Sequence, residues 1–324
     1  MSDLNMVSML ENSEIYSHEF WSSMFPVNYY GKYSMNKGGL YDLVKRLQLS
    51  KELECHDGCV NTVTWNKNGN KIVSGSDDTK LGIWDINCQY KMNSKLLCAF
   101  ESNHTANIFH ARFIPNTNDD EIISCARDCD VRYNVISKNK SERIGTHAQS
   151  CHKLDIIDKT TFISCSEDGS IKLIDLRDKT TVNATSDADA INNKLVSLTE
   201  IKYNIYQSKN RYDPLIYKSL PKLSKTKIGC YTMTLNPLNN NILAVGCRDK
   251  WVRLYDRRQL SVGDGKHAIP FKIMTQYELY LKKTDNSFYE GGITGLAWSY
   301  DGNELAASYS SKSIALFQLN GTNK

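Results

Sequence analysis

Residues His56 to Asp85 read "HDGCVNTVTWNKNGNKIVSGSDDTKLGIWD". A histidine opens the stretch, "SGSDD" lies near its middle and Trp84-Asp85 closes it. Between these marks run segments rich in Val, Ile, Thr and Trp, broken by "NKNGN" and by "SDDT". β-Branched and aromatic runs separated by Asn, Gly and Asp read as strands joined by tight turns. The same grammar returns four times. "HTANIFHARFIPNTNDDEIISCARDCDVRYNV" starts at His104, "HAQSCHKLDIIDKTTFISCSEDGSIKLID" at His147, "CYTMTLNPLNNNILAVGCRDKWVRLYD" at Cys230 and "ITGLAWSYDGNELAASYSSKSIALFQ" at Ile293.

With Asp85, Val135, Asp175, Asp256 and Gln318 as equivalent ends, the spacings are 50, 40, 81 and 62 residues. The 40-residue interval matches the period of a four-stranded blade in WD-repeat proteins, and the longer intervals imply inserts. The expected fold is therefore all-β, a WD-repeat β-propeller with five recognisable blades near 56–85, 104–135, 147–175, 230–256 and 293–318. Residues 1–39 read as an N-terminal extension, and 40–324 as a partial propeller with a polar, basic insert at 178–227 and a second insert at 259–291. Proteins resembling this one favour seven blades, whereas "LFQLNGTNK" follows the third strand of the fifth unit directly. An unpaired apolar sheet edge is an aggregation hazard. The expectation is an incomplete ring, its two missing blades belonging to a longer product or to another chain.

His56, Ser74, Asp78 and Trp84 fall where WD-repeat blades stack a loop histidine, a strand serine, a turn aspartate and a strand tryptophan into one hydrogen-bonded chain. Such a network satisfies buried polar groups and braces the sheet. Ser, His and Asp together also invite comparison with a hydrolase triad, but a triad is recognised by geometry and roles, and this set recurs and fades along the repeats. The second unit keeps His104, Ser124 and Asp128 with Asn134 in place of the tryptophan; the third keeps His147, Ser164 and Asp168 with Ile174 there. No phosphate-cradling glycine loop, kinase signature or metalloprotease motif occurs. Cys125 and Cys129 lack a second pair at zinc spacing, and Cys55, His56 and Cys59 belong to a repeat start. Neither a metal nor a cofactor is expected, nor catalysis.

Composition agrees with a globular binding protein: 40% hydrophobic and 23% charged residues are ordinary values. No apolar run is long enough to span a bilayer, and the first residues lack a signal peptide's basic start and apolar core. No membrane association is expected, and the ten cysteines are expected to stay as thiols in a reducing compartment, with the protein in nucleus and cytoplasm. The net charge is +4, yet "KYNIYQSKNRYDPLIYKSLPKLSKTK" (202–227) alone holds seven Lys or Arg against one Asp. Basic residues interleaved with Tyr203, Tyr206, Tyr212 and Tyr217 could stack and neutralise single-stranded nucleic acid; the plainer reading is a solvated loop whose tyrosines pack on a blade edge.

Beyond the generic repeat, "LVKRLQLSKELECHDGCVNTVTWNKNGNKIVSGSDDTKLGIWD", "NHTANIFHARFIPNTNDDEIISCARD", "TFISCSEDGSIKLIDLR" and "LAVGCRDKWVRLYDRR" resemble the WD-repeat substrate receptors of the cullin 4 ubiquitin ligase, from about Leu40 to Gln318. The resemblance implies docking on the ligase adaptor, damaged-DNA-binding protein 1, through Asp-x-Arg at two successive blade ends. Here these are Asp175-Leu176-Arg177 and Asp256-Arg257-Arg258. An arginine suits such a task because its planar, always-charged fork grips carboxylates and carbonyls in fixed geometry; the competing reading pairs each arginine with a local aspartate. The resemblance also implies a recruited target protein, with a nuclear receptor as one candidate, and an N-terminal helical contact for which "SEIYSHEFWSSMF" (Ser13 to Phe25) is a poor match. "GLYDLVKRLQLSKELE" fits a short helix better. A scaffold or transcription coregulator without ligase attachment, and a nucleic-acid-binding module using the basic insert, are the alternatives.

Overall fold

The computed structural model describes residues 49, 52–87, 93–177, 194–197, 199–202, 215–217, 222–260, 270–275, 292–310 and 314–319. The N-terminal extension and the segments read there as helical lie outside the described residues, apart from Leu49 and the stretch from Glu52. Among the described residues the regular structure is β throughout, save one 3-10 turn at Arg257–Gln259.

Five successive sheets are antiparallel meanders. Blade 1 is β1 (Val60–Trp65), β2 (Lys71–Ser76), β3 (Lys80–Asn87) and β4 (Asn93–Glu101); blade 2 is β5 (Ile108–Phe113), β6 (Glu121–Ala126), β7 (Asp130–Val135) and β8 (Lys140–Thr146). Blade 3 is β9 (Cys151–Ile156), β10 (Thr161–Ser166), β11 (Ser170–Asp175) and β12 (Lys194–Ser197). The basic insert then gives β13 (Thr199–Lys202), β14 (Leu215–Tyr217) and β15 (Lys222–Lys227). Blade 4 is β16 (Cys230–Leu235), β17 (Ile242–Cys247), β18 (Val252–Asp256) and β19 (Lys272–Thr275), with β14 added at its edge; blade 5 is β20 (Ile293–Trp298), β21 (Glu304–Tyr309) and β22 (Ile314–Gln318). Two compact units divide the chain: residues 1–123 with 134–141, and 124–133 with 142–324.

The register fixes which residues are equivalent. Asp85 pairs with Lys71, Asp175 with Thr161, Asp256 with Ile242 and Gln318 with Glu304, each the last or near-last residue of a third strand against the first of a second. The basic insert differs from its reading as a solvated loop. Residues 178–227 hold the fourth strand of blade 3, a β13–β15 ladder and the strand that widens blade 4, and 259–291 holds the fourth strand of blade 4. "LIY" is too short and "KLSKTK" too polar to declare a period of two; pairing with the β19 edge makes the first a strand and pairing with β13 the second. Tyr203, Tyr206 and Tyr212 lie outside the described residues.

The cores form where one blade's second strand meets the next blade's first. In the first unit a Cβ on Gly75 would lie 2.7 Å from Ile108 Cγ2; in the second, a Cβ on Gly246 would lie 2.5 Å from Ile293 Cγ2 and 2.7 Å from Thr232 Cγ2. A bare backbone at this point lets the neighbouring isoleucine seat fully, and Ile108 and Ile293 are both completely buried. Between blades 3 and 4 pack Ile163, Ile171, Met233, Val245 and Tyr255, and between blades 4 and 5 pack Leu254, Met274, Leu305 and Phe317. Val60, Val63 and Trp65 of β1 are half-exposed, whereas their counterparts Ile108, Ala111 and Phe113 are buried. Cys125, Cys151, Cys165, Cys230 and Cys247 are all fully buried free thiols. Burial pushes the Cys151, Cys165, Cys230 and Cys247 thiols above their ordinary value, so they act as small apolar core residues.

Gly246→Ala should cost about 1–3 kcal/mol in chemical denaturation, the usual penalty for overpacking. In an Ile293→Ala background, where the clashing Cγ2 is gone, the same Gly246→Ala change should cost less, giving a non-additive double-mutant cycle.

Candidate functional site

One carboxylate organises each of the first four blades. At the turn between second and third strands, Oδ1 of Asp78, Asp128, Asp168 and Asp249 accepts the backbone N–H two residues on, from Lys80 (2.9 Å), Asp130 (3.1 Å), Ser170 (2.7 Å) and Trp251 (3.2 Å). The residue between takes a left-handed conformation in three of them: Thr79 at φ 67, Cys129 at φ 71 and Gly169 at φ 73. An Asp side chain that mimics a turn of backbone holds this geometry even where the strained residue is not glycine.

In blade 1 the second oxygen of the same carboxylate carries the polar chain. Asp78 Oδ2 accepts from His56 Nδ1 (2.9 Å) and from the Asp57 backbone N–H (3.1 Å). With Nδ1 donating, His56 Nε2 accepts from the Ser74 hydroxyl (2.8 Å), whose oxygen accepts from Trp84 Nε1 (3.2 Å). Only glycine fits opposite: a Cβ on Gly82 would lie 2.6 Å from Ser74 Oγ and 3.0 Å from His56 Nε2. Partial burial pushes the Asp78 carboxyl up, but the N–H groups of Lys80 and Asp57 and the His56 ring more than reverse this, and it ends below its ordinary value. The serine is buried behind the tryptophan, so the chain braces the sheet and presents no open nucleophile.

The other units modify this pattern. In blade 3, His147 Nε2 meets Ser164 Oγ at 2.8 Å, while Nδ1 turns to Ser170 Oγ at 3.0 Å and stands 3.7 Å from Asp168 Oδ2. Asp168 Oδ2 also accepts the Ala148 N–H at 3.0 Å, the counterpart of the Asp57 contact. Burial pulls the His147 pKa down, but Cys151 and the Asp168 carboxylate outweigh it and leave it raised; Asp168 is held well below its ordinary value despite burial. In blade 2, His104 and Ser124 are buried, and Asn134 donates to Ile122 O at 3.2 Å. Blade 4 has no such histidine. There Arg253, buried almost completely, forms a bidentate ion pair with Asp249, through Nη1 at 2.7 Å and Nη2, and Nη1 also reaches Trp251 O at 2.9 Å. Arg253 occupies the register of Gly82, since Val245↔Arg253 matches Ser74↔Gly82. Sequence reasoning missed this pair and Ser170; the intact turn aspartate in "CRDK" was the available signal for the first.

The two Asp-x-Arg motifs are near-copies. Arg177 donates to Asp175 from Nε (2.9 Å), Nη2 (2.6 Å) and the backbone N–H (2.9 Å). Arg258 does the same to Asp256 at 3.0, 2.7 and 3.0 Å. The local pairing weighed against docking is therefore present. It also leaves the guanidinium outward, with side chains 71% exposed at Arg177 and 68% at Arg258. Hydrogen bonds from the arginines hold both carboxyls below their ordinary value and raise both guanidinium groups. The aspartate uses two side-chain N–H groups of five, so each arginine presents a fixed fork edge. Among the described residues no group of three or more His, Cys, Asp or Glu is arranged to hold a metal ion, and no helix is long and apolar enough to cross a membrane.

Repeated four-stranded meanders, turn aspartates and a His-Ser-Asp-Trp chain define a WD-repeat β-propeller protein. Residues 47–85 match the family described as "WD domain, G-beta repeat", and the crystal structure of the WD40 β-propeller domain of Doa1 superposes with a TM-score of 0.52 at 16% identity, covering 82% of this chain and 66% of that one. By sequence the chain is 32% identical over 286 residues to human DDB1- and CUL4-associated factor 6, covering 86% of this chain. Protein ALTERED SEED GERMINATION 2 of Arabidopsis thaliana is 29% identical over 294 residues, again 86% of this chain. The chain spans 29% and 36% of the lengths of these two relatives.

Ser74→Ala should lower stability by about 1–3 kcal/mol, because it strands buried polar groups at both ends of the chain; combined with His56→Ala, the losses should be strongly sub-additive in a thermal unfolding cycle. The Asp168–His147 pair sets a pH window. Asp168, depressed in the fold, contributes stability above its ordinary 3.8 that is lost as pH falls. His147, raised, contributes fully below its ordinary 6.5 and loses that as pH rises through its folded value. The stability gap between the natural chain and Asp168→Asn should thus be widest between these two values and narrow on either side, as read by denaturation at a series of pH values.

Proposed function

We propose that this chain is a non-catalytic interaction platform that docks on a DDB1-type adaptor of a CUL4 ligase through Arg177 and Arg258 and recruits a target protein through other exposed surface. The supporting observation is the pairing of the two Asp-x-Arg motifs at equivalent blade ends, each guanidinium held by its own aspartate and still mostly exposed. Pre-ordering a long side chain reduces the entropy lost on binding. A desolvated arginine at an interface centre is a frequent hot spot. The names of the human and mouse relatives, DDB1- and CUL4-associated factor 6, support the choice of adaptor. A receptor of this kind works by raising the local concentration of its target beside the ligase, so no bond-making residue of its own is required.

Purified adaptor should capture the 324-residue chain, and Arg177→Ala/Arg258→Ala should weaken capture by about 2 kcal/mol or more with little change in thermal midpoint, because both side chains are exposed. Equal capture of the two proteins would point instead to a scaffold without ligase attachment.

A further inference from the structure

Exposed large apolar side chains are scattered over most proteins and singly mean little. Three of those in the second unit gather at one end of the strands. Leu238 stands on the turn between β16 and β17 and is 68% exposed. That turn is bonded directly to the residue beside the motif arginine, since Arg257 N donates to Asn241 O (2.7 Å) and Arg257 Nε to Asn240 O (3.2 Å). Phe271, 50% exposed, enters β19 just where its partner β18 ends: its N–H donates to Leu254 O, two residues before Asp256. Tyr300, 55% exposed, stands on the turn between β20 and β21, which Asn236 Nδ2 ties to the Leu238 turn through Gly302 O (2.8 Å). Arg177 lies at the corresponding end of blade 3, where Leu176 N donates to Thr160 O (2.9 Å) and Asp155 Oδ2 accepts Leu235 N from blade 4 (2.9 Å).

We infer that Leu238, Phe271 and Tyr300 form the apolar part of the same docking face, between and beside Arg177, Arg257 and Arg258; this rests on the adaptor-docking reading. The occupant is the adaptor, through a surface that offers carboxylates or carbonyls to the arginines and apolar pockets to the three side chains. The composition suits that role. Interface cores are enriched in aromatic residues and Arg and poor in Lys and Glu, and hot spots combine such anchors. The motif aspartates are occupied by their own arginines, so the outward edge of each guanidinium is the donor set that a partner's carboxylates or carbonyls can meet. The anchors sit on turns pinned by hydrogen bonds across blades 4 and 5, so their spacing is held before any partner arrives.

The test measures affinity of purified adaptor for the 324-residue chain, for Arg177→Ala/Arg258→Ala, for Leu238→Ser/Tyr300→Ser and for Phe271→Ser. Ile314→Ser/Leu316→Ser serves as control, with apolar residues equally exposed on β22 within a blade face. The expected result is a loss of about tenfold or more for the Leu238/Tyr300 pair, a smaller loss for Phe271→Ser, and no change for the control, all with matching thermal midpoints. Loss in the arginine variant with unchanged binding of the apolar variants would overturn the extension and leave the docking reading standing. Unchanged binding in every variant, or no binding by the unaltered chain, would overturn the docking reading and the extension with it. Equal loss in the control would also overturn the extension, since it would mark a general response to lost surface hydrophobicity. If the double serine variant unfolds, the single variants Leu238→Asn and Tyr300→Ser, each of which removes one apolar anchor, give the same comparison.

Discussion

A single carboxylate at the second hairpin of each of the first four blades is the constraint from which the rest follows. One oxygen of Asp78, Asp128, Asp168 or Asp249 closes the turn by taking a backbone N–H. Closing the turn sets the register between second and third strands, and register decides which side chains face the neighbouring blade. The other oxygen is then free to hold a buried cation or ring: His56 in blade 1, His147 more loosely in blade 3, Arg253 in blade 4. The polar chain inside each blade is thus a consequence of the turn, and its remaining members may be exchanged as long as every buried group finds a partner.

That exchange explains why the repeats look degenerate as text and regular as structure. A glycine at the register of Gly82 admits a histidine above it; an arginine at the same register in blade 4 fills that space and brings its own donors. A buried ion pair left with one partner is costly, so the arginine and its aspartate have to be kept or lost together. The other end of the strands follows the opposite logic. At Arg177 and Arg258 the ion pairs lie on the surface, where a pair contributes little to stability, and their value is in holding a charged group in one orientation.

Much of this was legible in the sequence. Strand number, the turn aspartates and the His-Ser-Asp-Trp spacing followed from a repeat that can be laid under itself, because period and turn chemistry are local properties. Arg253 was not legible, since an arginine alternating with apolar residues in "WVRLYD" reads as the wet side of a strand until the partner sheet is known. The strands within 178–227 were missed for a related reason: "LIY" becomes a strand by pairing with β19, far away in sequence, and "KLSKTK" by pairing with β13 at the start of the same insert. The Asp-x-Arg ends were found by position, but whether each arginine would be paired or presented could not be read, and both turn out to hold. Exposure of Leu238, Phe271 and Tyr300 depends on which neighbours leave them uncovered.

The five sealed cysteines carry a practical meaning. Cys125 and Cys165 hold the fifth place of their second strands, Cys151 and Cys230 open their first strands and Cys247 ends β17, all out of reach of any reagent while the sheets stay closed. Alkylation of Cys125, Cys151, Cys165, Cys230 or Cys247 therefore needs an opening of that particular region, so mass spectrometry of the modified peptides would convert these side chains into a blade-by-blade clock of breathing motions. Nature has installed the labels already, and no probe has to be engineered into the chain.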